Sequence, residues 1–214
     1  MRTAIISDIH GHHAGLITVL NDIDKSRCDR IICLGDIVDG GDKNEETVNE
    51  IRKRNMQCVK GNHDEFNDLK LTSDINNYLL SLPEEIIEQD VIYTHISTRA
   101  NKRKIDSDIE AWNVFDETNY RITFIGHVHY PLVFGENNED PFCARKYQFS
   151  YNENFELNSD DRYIICVGAV GYGRDMIGKI RYCIYDDFDN SIELRAIDGP
   201  LLSIDWRKLY FLRG

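Results

Sequence analysis

Short apolar runs alternate with amphipathic stretches through the first 130 residues of the chain. Apolar runs between turn-forming residues are typical of buried strands, and we predict strands at 2–7, 31–34, 57–60, 91–94 and 122–125. Apolar positions at helical spacing predict helices through Leu16, Ile17, Leu20 and Ile23, at about 44–54 and 75–82, and around Ile105, Ile109 and Trp112. This alternation of strand and helix is typical of an α/β fold.

The second half of the chain has a different pattern. Short turns and little helix separate the strands that we predict at 132–134, 163–167, 180–185 and 192–197, which favours a mostly antiparallel second sheet. The polar segment 136–162 is predicted to be a hairpin or an excursion loop. We therefore expect one domain over residues 1–214, an α/β fold with two stacked sheets and helices outside.

The composition is that of a globular protein, with 42% hydrophobic and 29% charged residues. No apolar run approaches the roughly 20 residues of a membrane-spanning helix, and the first apolar run is too short for a signal peptide. We therefore expect a cytoplasmic protein with no membrane partner. The net charge of −12 argues against binding of extended nucleic acid, although bound metal ions could attract a smaller anionic substrate.

Six cysteines are scattered along the chain without a C-x-x-C pair. Four of them lie inside apolar, strand-like runs, where cysteine behaves as a small hydrophobe: Cys33, Cys58, Cys166 and Cys183. We predict that these four are core thiols.

Five short polar clusters follow predicted strands. They contain five of the seven histidines and read Asp8-Ile9-His10, Gly35-Asp36-Ile37-Val38-Asp39, Gly61-Asn62-His63-Asp64, His95 and Gly126-His127-Val128-His129. Any one cluster could be an ordinary turn, because turns favour Gly, Asn and Asp. All five together are hard to explain as turns, and strand carboxyl ends are where open α/β sheets bind ligands.

Mixed Asp, Asn and His ligands suit Mn, Fe, Zn, Co or Ni better than Ca or Mg. A carboxylate can bridge two such ions. Two divalent ions would carry more positive charge than Asp8 and Asp36 remove. The excess could lower the pKa of a bridging water and hold an anionic phosphoryl group.

In this order, the motifs D-x-H, G-D-x-x-D, G-N-H-D, H and G-H-x-H resemble those of the calcineurin-like metallophosphoesterase superfamily. The compact bacterial branch is a better match than the large protein phosphatases. The resemblance runs from about Thr3 to Asp198 and includes the glycine-rich segment 168–175. It implies a four-layer fold with helices on both sides of two sheets, two divalent transition-metal ions, and hydrolysis of a small phosphate mono- or diester by hydroxide bound to both ions.

Carried over by motif, the resemblance implies that one ion is held by Asp8, His10, Asp36 and His129. The other would be held by Asp36, Asn62, His95 and His127, so that Asp36 bridges. His63 would not bind metal. It would protonate the leaving oxygen or stabilise the transition state, and Asp39 would orient it.

Three positions depart from the family pattern without removing an implied metal ligand. Gly40 stands where the large phosphatases carry a phosphate-gripping arginine, Ile96 replaces the glycine after the metal-binding histidine, and 166–169 replace the usual Asn-Pro-Gly-Ser. The missing arginine argues against a phosphoprotein substrate and favours a phosphodiester. A dinucleoside polyphosphate hydrolase or a Ser/Thr-type protein phosphatase is the alternative enzyme. A catalytically silent metal-binding scaffold is the alternative of another class, but a scaffold needs neither His63 nor Asp39.

Two arginines are candidate substrate contacts. Arg99 opens the basic stretch after His95, which is either a solvated loop or an electrostatic funnel for an anion. Arg174 lies in the glycine-rich segment and could hold a phosphate. The aromatic residues of 136–162 are expected to pack internally, or else to contact a second copy of the chain or stack on a base.

Overall fold

The computed structural model describes residues 1–137, 139 and 142–202. Beyond residue 202 the predicted domain lies outside the described residues, as do positions 138, 140 and 141 of the predicted excursion. The helices are α1 (His13–Lys25), α2 (Asn44–Lys53), α3 (Asn62–Glu65), α4 (Ser73–Ser81) and α5 (Asp108–Glu117). The strands are β1 (Arg2–Ile6), β2 (Arg30–Cys33), β3 (Gln57–Cys58), β4 (Glu85–Glu88), β5 (Val91–Thr94), β6 (Ile122–Ile125), β7 (Pro131–Gly135), β8 (Arg145–Lys146), β9 (Asn154–Glu156), β10 (Tyr163–Val167), β11 (Lys179–Asp186) and β12 (Ser191–Asp198).

The strands form two mixed six-stranded sheets. The first has the order β3-β2-β1-β11-β12-β9, and the second has the order β4-β5-β6-β10-β7-β8. In each sheet three neighbouring strands run parallel, β1 with β2 and β3 in the first and β5, β6 and β10 in the second. The remaining neighbours are antiparallel. The two sheets flanked by helices confirm the predicted fold. The prediction that the strands of the second half form a second, mostly antiparallel sheet of their own was wrong. β7 and β10 lie in one sheet, β11 and β12 lie in the other, and each sheet combines strands from both halves of the chain.

Successive residues of a strand face opposite sides of its sheet, and this alternation builds the layers. Ile5 of β1 packs in the core between the two sheets, together with Ile165 of β10. Ala4 and Ile6 point the other way, into a core shared with α1, α2 and α4. On the far side, Ile164 of β10 packs with the buried face of α5. The result is four layers, in the order helix, sheet, sheet, helix.

The prediction for the face of α5 was wrong at Ile109. The helix begins at Asp108, where the Ser107 side chain accepts a hydrogen bond from a first-turn amide. Ile105 is buried but precedes the helix, so helical spacing counted from Ile105 misplaces the apolar face. Ile109 is 59% exposed. The residues that α5 buries are Ala111, Val114 and Phe115.

The excursion joins both sheets. Its first strand, β8, pairs with β7 at the edge of the second sheet, and β9 pairs with β12 at the edge of the first. Four aromatic side chains of the segment pack against the core between the sheets, as predicted: Tyr147, Phe149, Tyr151 and Phe155. Phe142 is instead 75% exposed. The segment therefore adds an edge strand to each sheet.

The four cysteines expected in the core are all buried there, as predicted. None of the described helices has the length and apolarity needed to cross a bilayer.

Candidate metal centre

The predicted polar clusters meet at one end of the two sheets. The loops after β1, β2, β5 and β6 and the short helix α3 bring together Asp8, His10, Asp36, Asp39, Asn62, His63, His95, His127 and His129. The amide of His127, after β6, donates to the Asp8 carboxylate, after β1, at 3.0 and 3.1 Å. Parallel strands present their carboxyl ends at one edge, and here the edges of both sheets converge.

The backbone at this centre is left-handed at six of the nine predicted residues. Positive φ angles between 51° and 72° occur at Asp8, His10, Asp36, Asp39, His127 and His129. This conformation is unfavourable for residues with a side chain, although Asp and His tolerate it better than most. Such positions cluster at functional sites, where the surrounding structure holds them. Here each one turns a polar side chain back toward the centre.

Two glycines allow backbone segments to approach the acidic residues closely. A Cβ on Gly126 would lie 1.9 Å from Ser7 Oγ and 2.8 Å from Asp8 Oδ2. A Cβ on Gly61 would lie 2.2 Å from Asp36 Oδ1. The first contact joins β6 to β1, and the second brings α3 against the end of β2. Neither position has room for a side chain.

Two overlapping groups of side chains could each hold a metal ion. The ligand atoms within each group lie within 4.8 Å of one another, and the groups are Asp8, His10, Asp36 and His129, and Asp36, His95 and His127. Asp36 belongs to both. Asn62 joins the second group, because its Oδ1 lies 3.0 Å from His127 Nδ1 and 3.1 Å from His95 Nε2. These groups coincide with the two ligand sets that the motifs imply.

Backbone carbonyls orient three of the histidines. The Nδ1 atoms of His10, His95 and His129 each lie 2.7 Å from a carbonyl oxygen, those of Asp39, Leu34 and Tyr172 respectively. A carbonyl can only accept, so each Nδ1 carries a hydrogen and each Nε2 faces the centre. Hydrogen bonds of this kind fix the tautomer and orientation of metal-binding histidines.

Unpaired polar atoms at the centre fit divalent cations. His10 Nε2 and His129 Nε2 lie only 3.2 Å apart, and in the neutral rings both carry lone pairs. Burial lowers the pKa of His10, which disfavours a proton between the rings. Asp36 Oδ2 is buried and makes no hydrogen bond among the described residues, although His95 Nε2 is 3.1 Å away. A cation here would remove the repulsion and satisfy the oxygen.

The charges around Asp36 shift several pKa values. Burial alone would raise the pKa of Asp36, but His95 and His10 beside it hold that pKa below its usual range. Burial and the nearby Asp36 charge raise the pKa of Asp64 to about 6. Burial, followed by the proximity of His95, lowers the pKa of His127 to about 4, which favours its neutral, ligating form.

Asp64 has a structural task that the motif alone did not reveal. Its Oδ1 accepts from the amide of Ile37 at 2.8 Å, and its Oδ2 accepts from the amide of Gly61 at 2.9 Å. It thereby ties the loop after β2 to the start of α3. The signal available in the sequence was the position of this aspartate inside the Gly-Asn-His-Asp cluster.

His63 and Asp39 form a hydrogen-bonded pair beside the proposed ligands. His63 Nδ1 lies 2.7 Å from Asp39 Oδ2, and the His63 ring is 5.0 Å from the His10 ring. The hydrogen bond that His63 donates to Asp39 raises the pKa of His63 against the opposing effect of burial. The His63 side chain is 37% exposed, so it can meet a molecule that enters from solvent.

A cleft of about 200 Å³ opens over the centre. Its lining includes Asp36, His63, His127 and His129 from the centre, and Lys104, Asp106, Tyr130 and Arg174 from the outer wall. Lys104 Nζ pairs with Asp106 at 2.6 Å. Asp106 and Tyr130 carried no recognisable motif, so sequence reasoning missed them.

The two candidate arginines differ in their surroundings. Arg174 lines the cleft. Arg99 lies between two carboxylates, with Nη1 2.8 Å from Glu110 and Nη2 2.7 Å from Glu117. These carboxylates balance its charge. The expectation that Arg99 draws in or contacts the substrate stays a prediction.

The glycine-rich loop between β10 and β11 crosses the centre. The Gly171 amide donates to the Asp8 carbonyl at 2.8 Å, and the Arg174 amide donates to the His129 carbonyl at 3.2 Å. The Tyr172 carbonyl accepts from His129 Nδ1. These are main-chain contacts, so they left no side-chain signature in the sequence.

Comparisons with known proteins agree with this geometry. The family model described as calcineurin-like phosphoesterase matches residues 1–166. An uncharacterised protein of Methanocaldococcus jannaschii is 33% identical over 226 residues, covering 91% of this chain and 86% of that protein.

Two crystal structures are similar over most of their length. A metallophosphoesterase from Sphaerobacter thermophilus has a TM-score of 0.81 at 28% identity, covering 94% of this chain and 90% of that one. A hypothetical protein from Pyrococcus horikoshii OT3 has a TM-score of 0.68 at 13% identity, covering 99% and 91%. The second likeness concerns the fold alone.

Proposed function

The chain belongs to the calcineurin-like phosphoesterase family, and we propose that it is a two-metal hydrolase of a small phosphate ester, with a preference for diesters. The observation that carries this proposal is the pair of potential metal groups that share the buried Asp36. A shared carboxylate is what holds two ions close enough to act on one phosphoryl group.

We assign one ion to Asp8, His10, Asp36 and His129, and the other to Asp36, Asn62, His95 and His127. The carbonyl-oriented histidines and the unpaired Asp36 oxygen support this assignment. When bound, two divalent ions such as Mn, Fe, Zn, Co or Ni would lower the pKa of a water and offset the charge of the phosphoryl group. Asn62 supplies a neutral oxygen, which limits the negative charge of the second set.

His63 holds the proton that the leaving oxygen needs. Asp39 accepts the hydrogen on Nδ1, which leaves Nε2 as the ring atom free to protonate the leaving group. A raised pKa keeps the ring protonated over a wider pH range. A metal-binding scaffold would need no such pair. The geometry of the His63–Asp39 pair therefore favours an enzyme over a catalytically silent scaffold.

Arg174 is our candidate for contact with the phosphoryl oxygens, since it lines the cleft beside His127 and His129. Gly40 leaves no arginine after Asp39, and a monoester dianion gains more from such a cation than a diester with one charge less. The preference for diesters therefore depends on Arg174 not replacing the missing arginine. A preference for the monoester that disappears in Arg174→Ala would show that Arg174 does replace it. A cytoplasmic location, a possible homo-oligomer and the absence of nucleic-acid and membrane partners stay predictions.

The test combines turnover with elemental analysis. With Mn²⁺ present, we expect a higher kcat/KM for a simple aryl phosphodiester than for the matching monoester. Asp36→Asn should lose metal from both sites and abolish turnover, because its oxygens serve both groups. Asp24→Asn, which removes a surface charge paired with Arg54, is the matched control and should change neither quantity.

Two results would contradict the proposal. Two metals per chain with near-normal turnover in Asp36→Asn would refute the bridging assignment. A tenfold preference of the wild type for the monoester would refute the diester preference.

A further inference from the structure

The loop that carries Arg174 connects β10 to β11 without regular secondary structure. Ala169 and Val170 at its start are buried, but the part around Arg174 has few apolar contacts of its own. There, Met176 is 52% exposed and Ile177 is 86% exposed, so this part buries little hydrophobic surface. Its place over the centre must therefore depend on specific polar contacts.

One carboxylate oxygen of the loop collects three hydrogen bonds. Asp175 Oδ2 accepts from Arg181 Nε at 2.9 Å, from Arg181 Nη2 at 2.6 Å and from the Tyr151 hydroxyl at 2.8 Å. The Arg181 guanidinium also lies over the Tyr151 ring, 4.6 Å from its centroid. These three residues come from the loop, from β11 and from the excursion.

The ion pair between Arg181 and Asp175 differs from a surface ion pair because of the burial of Arg181. Its side chain is completely buried, whereas a typical surface pair stays in water and contributes little. Among the described residues, Asp175 is the one carboxylate within ion-pair distance of Arg181. If Asp175 moved away, a buried positive charge would be left without a counterion, which is strongly unfavourable. The buried arginine thus holds Asp175, and with it the neighbouring Arg174, in one place.

We propose that Tyr151, Asp175 and Arg181 form a positioning unit that sets the location of Arg174 in the cleft. The unit touches neither the proposed metal ligands nor His63 through its side chains. It therefore affects how tightly the substrate is held and leaves the chemical step unchanged. This inference rests on the proposed function, in which Arg174 contacts the phosphoryl group.

The chain contains a matched control with the same chemistry. The Tyr182 hydroxyl donates to Asp22 Oδ2, and Arg195 Nη2 lies 3.1 Å from the same oxygen. The Arg195 guanidinium is 6.0 Å from the Tyr182 ring centroid. Tyr182 packs in the core shared with α1, on the opposite face of β11 from Arg181. Tyr182→Phe therefore removes an equivalent hydroxyl away from the loop.

The first test separates KM from kcat with an aryl phosphodiester and Mn²⁺. Tyr151→Phe keeps the ring under Arg181 and removes only the hydroxyl, and we expect it to raise KM about threefold to tenfold with kcat within about twofold. Tyr182→Phe should leave both constants unchanged. In an Arg174→Ala background, Tyr151→Phe should raise KM no further, because the residue through which it acts is absent.

The second test uses hydrogen exchange and needs no turnover. Tyr151→Phe should speed exchange of the amides in 171–178, including the Arg174 amide that donates to His129. Tyr182→Phe should not change exchange there.

A drop in kcat with unchanged KM, or an equal rise in KM with and without Arg174, would overturn the positioning role. Unchanged exchange in Tyr151→Phe would overturn the anchoring itself. If the wild type hydrolysed no phosphate ester, the proposed function would fail, while the exchange comparison would still decide whether the unit anchors the loop.

Discussion

The left-handed backbone at the candidate ligands has an energetic cost. Each non-glycine residue in this conformation costs of the order of 1–3 kcal/mol, and six such residues lie around one centre. Neighbouring hydrogen bonds hold them, such as the Asp8 amide donating to the Gly35 carbonyl and the His10 amide donating to the Asp36 carbonyl. The side chains are thus directed to the centre before any ion binds.

The His63–Asp39 pair predicts a specific pH dependence. The hydrogen bond that His63 donates to Asp39 raises the pKa of His63, so the acid is protonated and competent up to a higher pH. Asp39→Asn removes the negative charge and should lower that pKa. The alkaline limb of the kcat–pH profile should therefore move to lower pH, with metal content unchanged.

His63→Ala is the companion variant and should lower kcat by about 10²–10⁴-fold while retaining metal. Loss of metal in His63→Ala would make His63 a ligand. If the alkaline limb did not move in Asp39→Asn, Asp39 would not control the pKa of the proton donor.

For single residues, the sequence predicted which side chains meet at the centre but did not predict their main-chain hydrogen-bond partners. Spacing and residue type were enough to group His10, His95 and His129 with the acidic residues. The carbonyls that orient them belong to Asp39, Leu34 and Tyr172, and any residue type can supply a carbonyl. The ion pairs of Arg99 were also not predicted, because Glu110 and Glu117 reach it from the following helix.

Among the secondary-structure elements, the contact between the ends of β6 and β1 leaves no space for a methyl group. Gly126→Ala would drive its Cβ into Ser7 Oγ and toward Asp8 Oδ2. We expect this substitution to displace Asp8 and weaken metal binding by about tenfold to a hundredfold, as measured by titration with Mn²⁺.

Removing the obstructing hydroxyl provides the control. Ser7 Oγ is buried and makes no hydrogen bond among the described residues, so Ser7→Ala alone breaks none of those contacts. In the double variant, Ser7→Ala should restore part of the affinity lost in Gly126→Ala. Normal affinity in Gly126→Ala, or no recovery in the double variant, would contradict the steric account.

Strands with apolar runs were predictable, whereas short polar strands were not. β1 and β10 are buried along nearly their whole length, and such strands read as apolar runs. β4 and β8 are short sheet-edge strands with charged residues. β8 contains only charged residues, and the apolar run of β4 is limited to Ile86 and Ile87, which is too short to predict a strand. The start of α5 was predicted wrongly for another reason. The Ser107 cap fixes where the helix begins, and this start decides which later residues face the core.

For the whole molecule, the family match does not include all the strands of the sheet that supports the site. The match ends at residue 166, but β1 is hydrogen-bonded to β11, which starts at Lys179. A fragment of residues 1–167 would lack β11 and β12 and expose one side of the central strand. We expect this fragment to show no cooperative unfolding by circular dichroism and to take up no Mn²⁺. Cooperative unfolding with bound metal would show that the first three strands suffice.

The pairing of β1 with β11 also has a consequence for biosynthesis. β1 is made before the other strands of its sheet, yet its neighbour β11 is made only after β2 to β10. Contacts between such distant segments form slowly and leave strand edges open to wrong partners. On the ribosome, the nascent chain would carry Asp8 and His10 on an unfinished sheet until β11 emerges. Ion loading is therefore expected only after β11 has emerged, and the exposed edge is where a chaperone would bind first.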